Sequence, residues 1–210
     1  VQCDFCHKMV TPNPSAFSGD PAYMTTAFGS GTYNQDISYL ATIPIPGTSA
    51  NGMYIADANN AKRGPFTDAT GRHQMFYSPF HATSNHCGTC HDVSNPVYSK
   101  QGDGTYLPND FNAAHPTGNL RDMFPVERTY SEWMASSYAN KTYAQGGRTC
   151  QDCHMKDVTG KAAKMNDAVL RTNMPLHDMT GGNTFTPKMV KQKWAAEVNA
   201  AALDAGIIRS

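Results

Sequence analysis

The sequence of 210 residues has no hydrophobic run long enough to cross a membrane, since such a helix needs about 20 consecutive apolar residues. It also has no excess of charge, because 17 Lys and Arg residues balance 17 Asp and Glu residues. A formal net charge of zero gives no indication of binding to nucleic acid or to an anionic membrane surface.

Apolar residues are scarce for a chain of this length. They make up 40% of the sequence, and 17 glycines and 13 prolines divide the chain into short pieces. A conventional hydrophobic core is hard to build from such a composition. We therefore expect a fold of mainly loops with a few α-helices and little or no sheet, whose interior is supplied largely by a bound group.

The chain has no cysteine outside one repeated motif. Three copies of Cys-x-x-Cys-His use all six cysteines, with the cysteine pairs Cys3 and Cys6, Cys87 and Cys90, and Cys150 and Cys153. This motif is the signature of covalent c-type haem attachment, in which two thioethers hold the porphyrin and the histidine binds the iron. The sequence predicts three c-type haems with His7, His91 and His154 as proximal iron ligands.

Two other uses of Cys-x-x-Cys are less consistent with the pattern. Structural zinc would take two pairs for one four-cysteine site, and it would leave one pair and three histidines unexplained. A redox dithiol of the thioredoxin type would need a strand before the motif and a helix after it, and one copy of the motif would be enough.

Five further histidines are available as distal ligands: His73, His81, His86, His115 and His177. Three irons need at most three of them, so every haem is expected to be six-coordinate with two histidines, a state that favours electron transfer over substrate chemistry. His73 and His81 flank an aromatic segment just before the second motif, and His177 lies in a turn context. His86 and His115 remain alternatives.

Methionine is the rival axial ligand, and the chain contains 11. We expect Met9 and Met155, which lie close to haem motifs, to pack rather than to bind iron. The pairs Asp103-Gly104 and Asn109-Asp110 match no calcium-binding loop and are predicted to form turns.

The chain is expected to form one domain over residues 1–210. Residues 1–86 are predicted to be a loop-rich wrap that includes the first motif, residues 87–186 to hold the second and third motifs, and residues 187–206 to form a C-terminal helix with Thr186 as N-cap. A second helix is predicted over residues 127–142, with a capping box of Thr129 and Glu132. The best short strand signal covers residues 39–45, interrupted by Pro44.

Beyond single motifs, three strings resemble those of bacterial multihaem cytochromes c: residues 1–8, residues 78–96, and residues 127–133 followed by residues 150–155. The likeness is to the broad superfamily that contains cytochrome c nitrite reductases, hydroxylamine oxidoreductases and extracellular electron-transfer cytochromes. It covers most of the chain and implies a tri-haem module.

The resemblance implies roles for three further histidines. In such proteins an element like residues 177–183 commonly supplies a distal haem ligand, which favours His177, and the likeness also favours His81 and, less directly, His73. Related chains often carry further haem motifs upstream and a further domain downstream. A distal ligand from a missing part or a neighbouring subunit is therefore an open alternative.

The expected function is one-electron transfer through three closely packed haems, with redox partner proteins or an extracellular acceptor as partners. Because haem is attached to such motifs outside the cytoplasm, we expect an exported bacterial protein, periplasmic or extracellular, although no signal peptide is present at Val1. Polymerisation into a cytochrome filament is a specific extension. The alternative function is a reductase or oxidase of a small nitrogen or sulfur compound with one open haem; because all three motifs end in histidine, the electron carrier is favoured over the enzyme.

Overall fold

The computed structural model describes residues 3–24, 35–47, 50–163, 165–179 and 185–194. The helices in these segments are α1 (Cys3–His7), α2 (Pro21–Met24), α3 (Gln35–Leu40), α4 (Ser84–Gly88), α5 (Thr129–Ala135), α6 (Cys150–His154) and α7 (Phe185–Lys193). Short 3-10 turns cover Pro14–Phe17, Pro79–Ala82, Leu120–Asp122 and Tyr143–Gln145. In the described part of the chain, no helix is long and apolar enough to span a membrane.

Four small sheets connect these helices. The strands are β1 (Met9–Val10), β2 (Ile55–Ala56), β3 (Lys62–Gly64), β4 (Met75–Tyr77), β5 (Val93–Lys100), β6 (Tyr106–Pro108), β7 (Met123–Glu127), β8 (Asp157–Lys161) and β9 (Leu170–Pro175). Strands β1 and β2 pair antiparallel, as do β8 and β9, whereas β3 and β4 pair parallel. The remaining sheet has the order β6-β5-β7 and is antiparallel.

The prediction of little or no sheet is therefore wrong. Helix accounts for 30% of the structure and strand for 22%. Most of the strands are short, and several contain proline, which normally argues against a strand. Pro108 and Pro125 lie in β6 and β7, the two edges of their sheet, and Pro96 in the central strand β5 falls at a register shift between Asn95 and Ser99, where no ladder donor is needed.

Both turns predicted from Asp and Asn are confirmed. Gly104 adopts a left-handed conformation with φ 86° between β5 and β6, and the Asp103 carboxylate accepts a hydrogen bond from the Thr105 N–H at 2.9 Å. The Asp110 carboxylate accepts a bond from the Asn112 N–H at 2.8 Å. These side chains satisfy backbone donors of their own turns.

The helix predicted over residues 127–142 is shorter than expected. It begins at Thr129 and ends at Ala135, and the predicted capping box is absent because Arg128 is the N-cap and makes no side-chain capping bond. Ser136 is extended, and its hydroxyl donates to the carbonyl of Trp133 at 2.6 Å, which occupies a helix-end carbonyl and stops propagation.

Two other local predictions need correction. Residues 39–40, placed in a strand by the sequence, end helix α3 instead, and the Thr42 hydroxyl closes the following turn by donating to the Tyr39 carbonyl at 2.7 Å. The C-terminal helix begins at Phe185, before its predicted N-cap Thr186, and its predicted end lies outside the described residues. Among its described residues, the loop-rich wrap predicted over residues 1–86 contains the short elements α1 to α3 and β1 to β4.

The apolar core of the described residues is small. One cluster of buried side chains contains Val10, Leu40 and Ile55, with Tyr39 and Ile43 packed against it. Eleven described hydrophobic residues are buried, whereas eighteen large ones are exposed. The described polypeptide thus leaves more large apolar side chains outside its core than inside it, as expected if a further apolar group completes the interior.

Candidate functional site

Each of the three Cys-x-x-Cys-His motifs folds into a helical turn. The first is α1 and the third is α6. The second continues α4, with the His91 N–H donating to the Cys87 carbonyl at 2.9 Å. Residues i, i+3 and i+4 share one face of a helix, so the two sulfurs and the imidazole of each motif lie on the same side.

No disulfide joins any of the six cysteines, all of which lie in the described residues. Cys3 and Cys153 are exposed, and the other four are partly exposed. The side chains of Cys87 and Cys150 are neighbours, and their interaction raises the pKa of the Cys87 thiol and lowers the pKa of the Cys150 thiol. The first cysteines of the second and third motifs are therefore neighbours.

A short stretch before the second motif contacts the first motif. We call residues 78–86 the central segment. The His81 Nε2 lies 3.0 Å from the Cys6 carbonyl oxygen, and the His86 Nε2 lies 3.5 Å from the same oxygen. Two imidazoles of the central segment are therefore directed at the end of α1.

The same segment is bonded to the third motif. The side-chain amide of Gln151 donates to the carbonyls of His81 and Thr83 at 3.2 and 2.8 Å. The backbone N–H of Cys150 donates to the Ser84 hydroxyl at 3.0 Å, and Ser84 is fully buried. Because the central segment runs directly into the second motif, it joins all three cysteine-bearing turns.

Helix α5 packs on the second motif. The Tyr130 N–H donates to the His91 carbonyl at 2.8 Å, and the Tyr130 hydroxyl donates to the Asn85 side-chain oxygen at 2.6 Å. The ring of Tyr130 covers Gly88, where an added Cβ would meet it at 2.5 Å. Glycine at this position of the motif is thus required by close packing.

The third motif is stabilised by its own N-cap. Thr149 accepts a bond from the Asp152 N–H at 3.3 Å, and the Asp152 carboxylate accepts one from the Thr149 N–H at 2.7 Å. This capping box satisfies two donors of a helix of only five residues. The spacing Thr149-x-x-Asp152 is the sequence signal that could have predicted it.

Four histidines are gathered at the first motif. The ring of His7 lies parallel to the ring of His81, and their centroids are 5.7 Å apart. The centroid of the His177 ring lies 6.1 Å from that of His7. His86 lies 4.6 Å from His81. Of the predicted distal ligands, His81 and His177 therefore lie beside a proximal one, and His86, an alternative, joins them.

The surroundings of His81 and His86 favour the neutral form of each imidazole. Both are partly buried, and the Nδ1 of His81 is inaccessible to solvent and has no hydrogen-bond partner. Burial lowers the pKa of His81 well below its ordinary value, and the neighbouring His86 lowers it further. Burial also lowers the pKa of His86. A neutral imidazole is the form that binds a metal.

The other histidines lie apart from this cluster. His73 is exposed, with its Nδ1 3.3 Å from the Gln74 carbonyl, and His91 is exposed, with its Nδ1 3.7 Å from a Glu127 oxygen. His154 is partly exposed at the end of α6. His115 uses both ring nitrogens within the loop that follows β6, Nε2 with the Ser99 hydroxyl at 3.0 Å and Nδ1 with the Thr117 N–H at 3.3 Å.

The residues present fit covalently bound haem. The described residues contain no group of three or more His, Cys, Asp or Glu side chains arranged to hold a bare metal ion. A haem iron needs only one or two protein ligands, because its porphyrin supplies the others. Paired accessible thiols beside an imidazole, an orphaned Nδ1 on His81 and the small apolar core all match what such a group requires. The pairs Cys3 and Cys6, Cys87 and Cys90, and Cys150 and Cys153 would hold it, with His7, His91 and His154 as proximal ligands.

Several residues of the site were not identified from the sequence. Gln151 occupies one of the two variable positions of its motif, Ser84 is an ordinary serine before a helix, and Arg63 contacts His7 from 56 residues away. Because these contacts join distant parts of the chain, only the fold reveals them.

Comparison of the chain with protein-family models, with curated proteins and with solved structures found no match.

Proposed function

We propose that this chain is a multihaem c-type cytochrome that transfers electrons through three covalently bound haems. Haem supplies a one-electron couple at iron, whose potential depends on axial ligands, hydrogen bonding and burial. The chain's own residues attach the group, orient its ligands and exclude water from it.

The convergence of the three motifs on the central segment is the observation that carries the proposal. Cys6 and Cys150 belong to different motifs, yet the Cys6 carbonyl is contacted by imidazoles of this segment and the Cys150 N–H donates to its Ser84 hydroxyl. Groups attached at these turns would be held close together, as electron hopping requires. Three unrelated attachment sites would not need one common support.

The histidine cluster supports axial ligation by two imidazoles at the first motif. His7 has its Nδ1 engaged with a backbone carbonyl at 2.6 Å, which leaves Nε2 for iron. His81, His177 and His86 are the candidates for the opposite side. His73 is retained as a distal candidate for another haem, and His115 is disfavoured because both of its ring nitrogens have protein partners.

The proposal extends to location and assembly. Attachment to Cys-x-x-Cys-His motifs outside the cytoplasm implies an exported bacterial protein, periplasmic or extracellular. Helix α1 carries an exposed Cys3 and an Asp4 side chain that is 56% exposed, so a haem edge at the first motif would face outward. Contact of that edge with a second copy, repeated head to tail, would produce a filament.

The test is a potentiometric titration of the purified holoprotein, followed by optical and electron paramagnetic resonance spectra. We expect three one-electron steps and low-spin signals only. A single haem per chain would contradict the proposal. A high-spin five-coordinate signal would instead favour a reductase or oxidase of a small nitrogen or sulfur compound.

Filaments seen by electron microscopy would support the assembly, and a monomer at high concentration would exclude it.

A further inference from the structure

Arg63, in β3, is the largest of the fully buried side chains in the described part of the chain. Only 1% of the residue is exposed. Its Nε lies 2.7 Å from an Asp36 oxygen and its Nη1 2.8 Å from an Asp57 oxygen, and both carboxylates are also buried. We call Asp36, Arg63 and Asp57 the buried triad.

Each carboxylate of the triad accepts a further hydrogen bond. The Tyr23 hydroxyl donates to Asp36 at 2.8 Å, and the Asn59 N–H donates to Asp57 at 2.8 Å. The guanidinium lies over the ring of Phe76, 5.3 Å from its centroid, and Phe76 is the register partner of Arg63 in the parallel pair β3 and β4. A buried charge with this number of partners has little freedom to move.

The backbone of the same residue contacts the first haem motif. The Nδ1 of His7 donates to the Arg63 carbonyl at 2.6 Å. A hydrogen bond from the distal ring nitrogen of a metal-binding histidine sets its tautomer and orientation and makes it a stronger donor. The side chain of Arg63 is anchored in the triad while its carbonyl holds the imidazole, so one residue connects the two.

We propose that Arg63 is a positioning residue for His7, and that the buried triad sets the reduction potential of the first haem. This inference rests on the proposed function. The triad fixes the β3 backbone, the fixed carbonyl holds Nδ1–H, and Nε2 is directed away from β3. A more basic imidazole stabilises oxidised iron. The first haem therefore has a lower reduction potential when the triad is intact than when the triad is disrupted.

The experiment compares Arg63→Met with the wild-type holoprotein by potentiometric titration. We expect one of three potentials to rise and the other two to stay unchanged. Arg63→Lys, which keeps a charge between the carboxylates, should give a smaller rise of the same potential. Asp57→Asn, a milder change, serves if Arg63→Met does not accumulate as folded protein.

Two controls separate positioning from general loosening. Met123→Ala removes a buried side chain of β7, which lies in a different sheet from β3. This variant should lose about as much stability as Arg63→Met but leave all three reduction potentials unchanged. In a Cys3→Ala/Cys6→Ala background, which lacks the first haem, Arg63→Met should move neither of the two remaining potentials.

The outcomes distinguish this inference from the proposed function. If the wild type carries three haems and the Arg63 variants shift nothing, shift all three potentials together, or match Met123→Ala, the positioning role is wrong and the cytochrome proposal stands. If the wild type carries no haem, both fail.

Discussion

Replacement of Gly88 by alanine should destabilise the protein through one defined clash. Gly88 is the first variable residue of the second motif, and an alanine Cβ would lie 2.5 Å from two ring atoms of Tyr130 and 2.8 Å from a third. Such distances are shorter than any ordinary contact, so the ring or the motif must shift.

The Tyr130 ring is not free to move. Its hydroxyl donates to Asn85 at 2.6 Å, and the ring stacks on Trp133 with centroids 5.7 Å apart. The indole N–H of Trp133 in turn donates to the Arg148 carbonyl at 2.7 Å. Overpacking of a fixed neighbour typically costs about 1–3 kcal/mol, which for a domain of this size lowers the melting temperature by roughly 2–12 °C.

The assay is thermal unfolding of holoprotein with matched haem content. Gly19→Ala is the control, because a Cβ at Gly19 meets nothing within 4 Å. The double variant Gly88→Ala/Tyr130→Ala should lose less stability than the sum of its single variants, since the clash is removed. Equal melting temperatures for Gly88→Ala and Gly19→Ala would refute the packing argument.

Two further predictions concern the support of the motifs. Gln151→Ala removes two amide hydrogen bonds to the central segment and should cost about 1–3 kcal/mol in denaturant unfolding, whereas Gln74→Ala, at an exposed position, should be neutral. Burial raises the pKa of Asp57, but the Asn59 N–H and the Arg63 guanidinium together hold it below its ordinary value. Its stabilising contribution is therefore complete above the unfolded pKa of about 3.9 and is lost as pH falls through the folded value. The difference in melting temperature between wild type and Asp57→Asn should be largest near neutral pH and should narrow below about pH 4; a difference that does not vary with pH would contradict the pairing.

The local chemistry of the motifs follows from the sequence because it depends on near neighbours. The spacing of Cys150, Cys153 and His154 is a helical spacing, and the structure folds it as one turn. The turn at Asp103 is likewise a contact between residues two apart.

Other features depended on distant partners and could not be predicted. The strand β5 contains Pro96 and polar residues, and it forms because β6 and β7 pair with it across a bulge. Arg63 resembles any other arginine in the sequence, yet it pairs with Asp36, 27 residues away. Likewise, only the fold shows that His86 joins His81 at the first motif while His115 bonds to Ser99.

The central claim is that all three cysteine pairs carry haem. Mass spectrometry of the denatured protein from its native source tests it most directly, because thioether-bound haem survives denaturation. We expect the chain to carry three haems, and a Cys87→Ala/Cys90→Ala variant to carry two. The mass of the bare polypeptide would contradict the account.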